Sequence, residues 1–264
     1  ARYVYNKDFG SFLNPRGGMV WSPSKSLYIK ALYGSAFRSP TMNEKYLNFG
    51  TAIGNEELNP EKLKTLELGI DYVLKKLNLR LNFYHTAIDD LIGRIPLPGG
   101  SGITQYANLA GTSKYTGVEG EIRGVIGKYF RFYLNVYIGK GEDQNGEELQ
   151  YIPNLIQNGG ITFKASGFLA SFYYSYMDSV ETEYRSFLYT MMNPATPFQS
   201  ETIDSAFLLN AKIGYTLKKQ LTISLIGQNL GDKQVMAPEF VRKFIPSLQN
   251  GPGRRIYLEL RKSF

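Results

Sequence analysis

An alternation of apolar and polar residues with a period of two constrains this chain more than any other feature. Phe207, Leu209, Ala211, Ile213, Tyr215 and Leu217 alternate with Leu208, Asn210, Lys212, Gly214 and Thr216. The same period sets Leu66, Leu68, Ile70 and Tyr72 against Thr65, Glu67 and Asp71, and Phe130, Phe132, Leu134 and Val136 against Arg131, Tyr133 and Asn135. Successive side chains of a strand point to opposite faces, so these segments are strands with one apolar and one polar face. The pattern predicts an all-β fold of about eleven strands. They fall at 15–22, 26–38, 63–74, 78–90, 113–125, 129–140, 157–166, 168–178, 205–217, 220–230 and 253–264, with a further stub near Tyr3.

The links between these strands alternate strictly in length. Short ones fall around Pro23-Ser24, Lys75-Lys76, Gly127, Gly167 and Lys218-Lys219; long ones cover 39–62, 91–112, 141–156, 179–204 and 231–252. All short links then lie on one side of the sheet and all long ones on the other, as in an antiparallel transmembrane β-barrel. A soluble β-sandwich also alternates, but its strands are usually nearer five or six residues. Ten residues at about 3.3 Å each, tilted near 45°, span roughly the 25 Å apolar band of a bilayer. One face carries Lys30, Glu67, Asp71, Arg80, Glu119, Glu121, Arg123, Arg131, Lys212, Glu259 and Arg261, and the other carries little charge until the strand ends. Tyr28, Tyr33, Phe37, Tyr72, Tyr129, Phe130, Tyr174 and Tyr176 cluster near strand termini, as the aromatic girdles of such barrels do.

Composition removes other classes. The chain has no cysteine, hence no disulfide framework or thiolate metal site. No run approaches the roughly 20 apolar residues of a membrane helix, and the richest, 168–177, is broken by Ser171 and Ser175. The opening Ala1, with no signal peptide, reads as a processed chain or a fragment. The net charge of +7 would suit nucleic acid, but the long links sum to about −7, four of it from Glu142, Asp143, Glu147 and Glu148. The positive charge therefore sits in strands and short turns, which leaves no outward basic patch for nucleic acid. No Gly-x-Ser-x-Gly, phosphate-cradling loop or nucleophile–His pair occurs, and Asp89 and Asp90 would face opposite sides of a strand. The sequence thus implies neither an enzyme nor a cofactor. Met191 and Met192, with Met177 and Met236, could form a soft copper site or simply pack their loops.

Six segments, in order, resemble the barrel of TonB-dependent receptors of the siderophore and cobalamin type. Tyr33-Gly34-Ser35-Ala36-Phe37-Arg38-Ser39-Pro40 with Asn43-Glu44-Lys45-Tyr46 is similar to the family's Phe-Arg-x-Pro strand end and its acidic pair partner. Gly54-Asn55-Glu56-Glu57-Leu58-Asn59-Pro60-Glu61, Asp90-Leu91-Ile92, Asn108 followed by Gly117-Val118-Glu119-Gly120-Glu121, Gln228-Asn229-Leu230-Gly231-Asp232-Lys233, and the last strand ending at Phe264 continue the likeness. The resemblance implies that 1–264 is the C-terminal part of a barrel of 22 strands, with the plug domain and the first half of the barrel not included. It further implies residence in the cell outer membrane among lipid, assembly by the barrel-assembly machinery reading Phe264, and energy from the TonB complex.

The ligand implied is a scarce nutrient, most often a ferric siderophore. Arg38, Tyr184, Phe187 and Tyr189, with Phe198, are candidate ligand contacts on the loops. Glu119, Glu121, Arg123 and Arg131 would line the lumen or face a plug; a plain ladder of ion pairs between strands is the competing account. Heme receptors of the family carry a His between the Phe-Arg-x-Pro and Asn-Pro-x-Leu segments, which this chain lacks, and the sole histidine, His85, falls in the apolar register. Two alternatives stand beside this reading. One is a small plug-less barrel, a passive pore or surface-binding protein, in which the stub at 1–9 closes a ring of twelve strands; the other is a soluble β-sandwich.

Overall fold

The computed structural model describes residues 1–7, 9–49, 52–98, 103–184, 199–217, 220–239 and 244–262. The chain opens with a hairpin of β1 (Arg2–Asn6) and β2 (Gly10–Asn14), then β3 (Arg16–Ser24) and β4 (Leu27–Arg38). A first long link holds α1 (Met42–Tyr46), β5 (Asn48–Phe49) and β6 (Ala52–Ile53) before β7 (Glu61–Val73) and β8 (Leu77–Asp89). A second holds β9 (Ile92–Pro96) and β10 (Thr104–Asn108), followed by β11 (Thr112–Ile126), β12 (Phe130–Glu142), β13 (Leu155–Ala165) and β14 (Phe168–Met177). Next come β15 (Val180–Tyr184), β16 (Gln199–Ile203), β17 (Ala206–Leu217), β18 (Leu221–Gln228), β19 (Met236–Pro238), β20 (Ser247–Gln249) and β21 (Arg255–Lys262).

Eleven of these strands form one antiparallel sheet in the order β21-β18-β17-β14-β13-β12-β11-β8-β7-β4-β3, each beside its neighbour in sequence. All eleven coincide with strands expected from the alternation. The stub does not join them: β1 pairs β2 from Arg2↔Asn14 to Asn6↔Gly10, and β3 and β21 each keep one free edge among the described residues. The twelve-strand ring therefore lacks its closing pair. The first short turn also sits at Lys25-Ser26 rather than Pro23-Ser24, because β3 runs on to Ser24 through a register shift after Trp21. A bulge tolerates the Pro23 that a regular ladder would refuse. Lys218-Lys219 lie outside the described residues.

The faces follow from the register. In β7, Leu66, Leu68, Ile70 and Tyr72 are the exposed side, while Thr65, Glu67, Gly69 and Asp71 are partly covered by neighbours. Register carries the apolar face across the sheet to Leu81 and Phe83, Val118 and Ile122, Leu134 and Val136, Ile161, Phe172, Ile213, Leu225 and Leu258. The polarity is thus the reverse of a water-soluble protein: Leu68 is 47%, Ile138 58% and Leu258 68% exposed. Such a continuous apolar face is far larger than the few hundred Å² a soluble monomer leaves uncovered. Aromatic pairs rim it at both ends. At the short-turn end Phe163 lies 5.0 Å from Phe130 and 6.0 Å from Tyr129 and Phe168; at the long-link end Tyr174 stacks on Phe207 at 5.6 Å and Phe12 on Phe37 at 4.3 Å. Tyr28 departs from the expected girdle, because its register opposite Asp71 puts it on the polar face.

The deeply buried apolar side chains, Ala52, Leu58, Val180, Ile203 and Ala206, lie in the long links or where a strand leaves one. The links are therefore small folded units. Alternation could not reveal them, since they use short irregular pieces. In the first, Gly54 donates its N–H to Leu47 O at 2.6 Å, and a Cβ there would lie 2.4 Å from Lys45 O. That neighbour is backbone and cannot swing aside, so Gly54→Ala is expected to dislodge α1 at a cost of about 1–3 kcal/mol. Faster proteolytic cleavage within 39–60, with the sheet intact, is the outcome to look for; unchanged cleavage would show that the link adapts.

Candidate functional site: the link rim and the polar face

Arg38 ends β4 where the chain leaves the sheet, and it organises the rim. Its Nε and Nη2 donate to Glu61 at 2.6 Å each, while Nη1 and Nη2 donate to Glu44 at 3.0 Å. Glu61 is buried and also accepts from Ile92 N–H at 2.9 Å, so one guanidinium joins β4, α1, β7 and β9. The fork geometry of guanidinium suits two carboxylates as no ammonium does. The expected pairing of Arg38 with Glu44 is present; the second carboxylate, Glu61 of the Asn-Pro-Glu segment, was missed. Nothing within either segment signals it, because only the β4–β7 register brings Glu61 opposite Arg38.

Glu44 also closes the first turn of α1: its carboxylate accepts from Thr41 N–H at 2.6 Å and its N–H donates to Thr41 Oγ1 at 3.2 Å. The Thr-x-x-Glu spacing carries this capping box in the sequence. Partial burial alone would raise the Glu44 pKa, but the hydrogen bonds from Arg38 and Thr41 outweigh it and hold the carboxyl below the usual carboxylate range. A depressed pKa contributes stability that is complete above the ordinary Glu value of about 4.3 and is lost as pH falls through the folded value. Hydrogen exchange at residues 42–47 should therefore be independent of Glu44 protonation from neutral pH down to the ordinary Glu value of about 4.3 and lose protection progressively as pH falls further. Loss of protection already between pH 8 and 6 would contradict the assignment.

Other motif residues also serve the rim. Asn108 Nδ2 donates to Asp90 O at 2.7 Å and Asn59 O at 2.9 Å, and its Oδ1 accepts from Asn59 N–H at 2.8 Å. Asn229, at φ 48°, brackets Lys233 by accepting from its N–H and donating to its carbonyl, both at 2.9 Å. Asp232 accepts from Arg254 N–H at 2.7 Å. Further along the rim the Thr182 hydroxyl, fully buried, donates to Pro246 O at 3.2 Å, and the Tyr151 hydroxyl exchanges hydrogen bonds with Glu183 N–H and O at 3.1 Å. The links are thus tied to one another as well as to the sheet.

The polar face carries a row of charge toward the short-turn end. Asp71 receives Lys30 on one side, in a close pair, and Arg80 Nε at 2.9 Å on the other. Glu121 stands opposite Arg80 in register and pairs with Arg123 of its own strand at 3.3 Å. Lys212 reaches across β18 to Glu259 at 2.8 Å. Of the expected lumen residues, Glu121 and Arg123 fall in this row, Glu119 lies one step nearer the links opposite Asn82 and Tyr137, and Arg131 lies at the short-turn end opposite Thr162. Of the expected ligand contacts, Tyr184 is placed where β15 ends opposite Gln199, and Arg38 is committed to its carboxylates. Phe187, Tyr189, Phe198, Met191, Met192 and the terminal Phe264 lie outside the described residues. His85 is on the apolar face as expected, its Nδ1 2.7 Å from Thr116 Oγ1.

A long antiparallel meander with apolar residues outward, charges on the covered face, short turns at one end and folded links at the other defines the wall of a membrane-type β-barrel. The family described as "TonB dependent receptor-like, beta-barrel" matches residues 1–230, and the chain belongs to that family. A vitamin B12 transporter, BtuB, of Vibrio cholerae is 25% identical over 236 residues, covering 88% of this chain and 35% of that protein. The heme/hemopexin utilization protein C of Haemophilus influenzae is 27% identical over 180 residues, covering 58% of this chain and 25% of that protein. Among solved structures, the ferric-catecholate import receptor Fiu of Escherichia coli K12 superposes with a TM-score of 0.74 at 19% identity, covering 97% of this chain and 35% of that one. The ferric enterobactin receptor PfeA of Pseudomonas aeruginosa does so with a TM-score of 0.75 at 16% identity, covering 99% and 42%. The chain thus spans about a third of the length of the vitamin B12 transporter it matches.

Proposed function

We propose that this chain is the C-terminal part of the wall of an outer-membrane receptor that imports a ferric siderophore with energy from the TonB complex. The wall's reversed polarity carries the membrane part of the reading, since an apolar outer face and a charged inner one suit lipid outside and water inside. Among the described residues β3 and β21 each end the sheet, which supports a larger ring: unpaired backbone N–H and C=O groups in hydrocarbon cost several kcal/mol each. Further strands therefore pair with both edges, and a plug domain stands against Glu119, Glu121, Arg123 and Arg131. The long links face outward from the cell and hold the ligand, with Tyr184, Phe187 and Tyr189 as its contacts. Phe264 is the signal read by the barrel-assembly machinery.

The siderophore assignment draws on the iron-chelate receptors among the structural neighbours. A cobalamin ligand is the second reading, favoured by the vitamin B12 transporters among the curated relatives. Uptake in a strain lacking this gene, compared with its parent and with a tonB deletion, tests both. The expected outcome is loss of uptake of one ferric siderophore in both mutants, with cobalamin uptake unchanged. An immunoblot of outer-membrane fractions should give a heat-shifting band well above the 29.8 kDa of this chain. Uptake indifferent to TonB, or a heat-shifting band at the mass of this chain, would contradict the proposal and favour the plug-less barrel.

A further inference from the structure

Three tyrosines on the polar face lean into one pit. Gly117 and Gly139 stand opposite each other on β11 and β12, and both are buried. Tyr84 of β8 pairs with Gly117, Tyr115 lies two residues up β11, and Tyr137 lies two residues down β12 from Gly139. The hydroxyls occupy the space the glycines leave: a Cβ on Gly117 would lie 2.4 Å from the Tyr84 oxygen, and one on Gly139 would lie 2.2 Å from the Tyr137 oxygen. The Tyr115 and Tyr137 hydroxyls are in hydrogen-bond contact, the Tyr84 and Tyr115 rings lie 5.8 Å apart, and the Tyr84 hydroxyl interacts with both partners. Strands alone would space these oxygens apart; the two glycines let the rings fold down until they meet.

Neither the charged row nor the rim explains this arrangement. A phenol can accept as well as donate, so each of the three oxygens keeps lone-pair capacity beyond its bond to a neighbouring hydroxyl. Glu67 stands beside Tyr84 and Glu119 beside Tyr137 in register, so the pit is flanked by carboxylates rather than by bases. Several oxygens of one hard donor type, converging under negative potential, are the surroundings a hard cation seeks.

We infer that Tyr84, Tyr115 and Tyr137 form a three-oxygen site for ferric ion on the lumen face, their oxygens brought together by the space over Gly117 and Gly139. On binding, each phenol O–H bond is replaced by an oxygen–iron bond and its proton leaves to lumen water. The three phenolates then balance the charge of the trivalent ion, and water completes its coordination. Iron keeps its oxidation state throughout. The inference needs no energised transport and is independent of which chelate the receptor takes up.

The test uses the protein purified from membranes in detergent and titrated with ferric nitrilotriacetate, a chelate without aryl oxygen of its own. The expected result is a visible phenolate-to-iron charge-transfer band that saturates at one iron per protein. Tyr115→Phe removes one ligand and leaves the ring in place, so binding should weaken at least about tenfold, beyond the lower end of what loss of an outer-shell partner costs. Heat-modifiable migration of the variant shows that it is folded, and Tyr84→Phe and Tyr137→Phe provide the same measurement from the other two strands. No visible band in the wild type, or a band unchanged in all three variants, would overturn the inference.

Discussion

Replacing Leu68 by arginine is expected to destabilise the protein by about 2–4 kcal/mol, whereas replacing Asn82 by lysine is expected to change stability by no more than about 0.5 kcal/mol. Leu68 is 47% exposed and sits mid-wall between Ala31 and Phe83, on the apolar face. Asn82 sits one strand over on the polar face, opposite Gly69 and Glu119. By exposure alone an arginine at position 68 should be harmless, because a soluble protein tolerates charge on its surface. Hydrocarbon against that face reverses the expectation, since the guanidinium would be buried without a partner. At position 82 a lysine gains Glu119 as neighbour and water around it. Urea unfolding in lipid vesicles, followed by heat-modifiable migration, gives both values. Equal and small effects would contradict the membrane-wall assignment.

Removing the Glu61 carboxylate is the second large effect. Glu61→Ala deletes two charge-assisted hydrogen bonds to Arg38 and the one from Ile92 N–H. Hydrogen bonds to charged groups contribute about 1.5–3 kcal/mol each. Arg38 is itself 44% exposed, so solvent screening brings the sum down to about 2 kcal/mol. That is a factor of roughly 30 in the population of the opened rim. Protease sensitivity should rise in both 39–60 and 90–111, because Glu61 joins Arg38 and Glu44 to β9. Glu44→Ala should loosen only the first of these. Non-additivity between Arg38→Ala and Glu61→Ala would establish that the two act as one clamp, and simple additivity would count against it.

The two halves of the architecture were unequally legible in the sequence. Every wall strand announced itself through period two, because each places one face in an apolar medium and one in water. Leu66 to Tyr72 and Leu209 to Leu217 carry the pattern without a break. The links carry no such pattern. Their strands are two to five residues long, and their burial rests on single positions such as Leu58 and Thr182. The Thr41-x-x-Glu44 box was a usable signal that the alternation overshadowed. Register was the deeper obstacle. The Lys30–Asp71–Arg80 row, the second carboxylate on Arg38 and the three tyrosines over Gly117 and Gly139 each join residues from different strands. A one-residue slip in any pair would move those side chains to the other face. Tyr28 shows the same limit: its nearness to a strand end suggested the girdle, while its register put it with Asp71.

Many motif residues that gave the family resemblance bind other parts of the chain. Arg38, Glu44, Glu61, Asn108, Asn229 and Asp232 tie links to strands or close turns. A family whose members take different ligands is thus expected to share the clamps and vary the tips.

The central claim is that the face bearing Leu66, Leu68, Ile70 and Tyr72 meets lipid while the face bearing Thr65, Glu67, Gly69 and Asp71 meets water. The chain has no cysteine, so single cysteines can be placed at each position from 65 to 72 and spin-labelled without background. Collision of the labels with dissolved oxygen and with a water-soluble nickel chelate, measured in lipid vesicles, reads the two environments directly. Strict alternation is expected, with oxygen favoured at 66, 68, 70 and 72 and the chelate favoured at 65, 67, 69 and 71. High chelate accessibility at all eight positions would contradict the claim and return the chain to the soluble β-sandwiches.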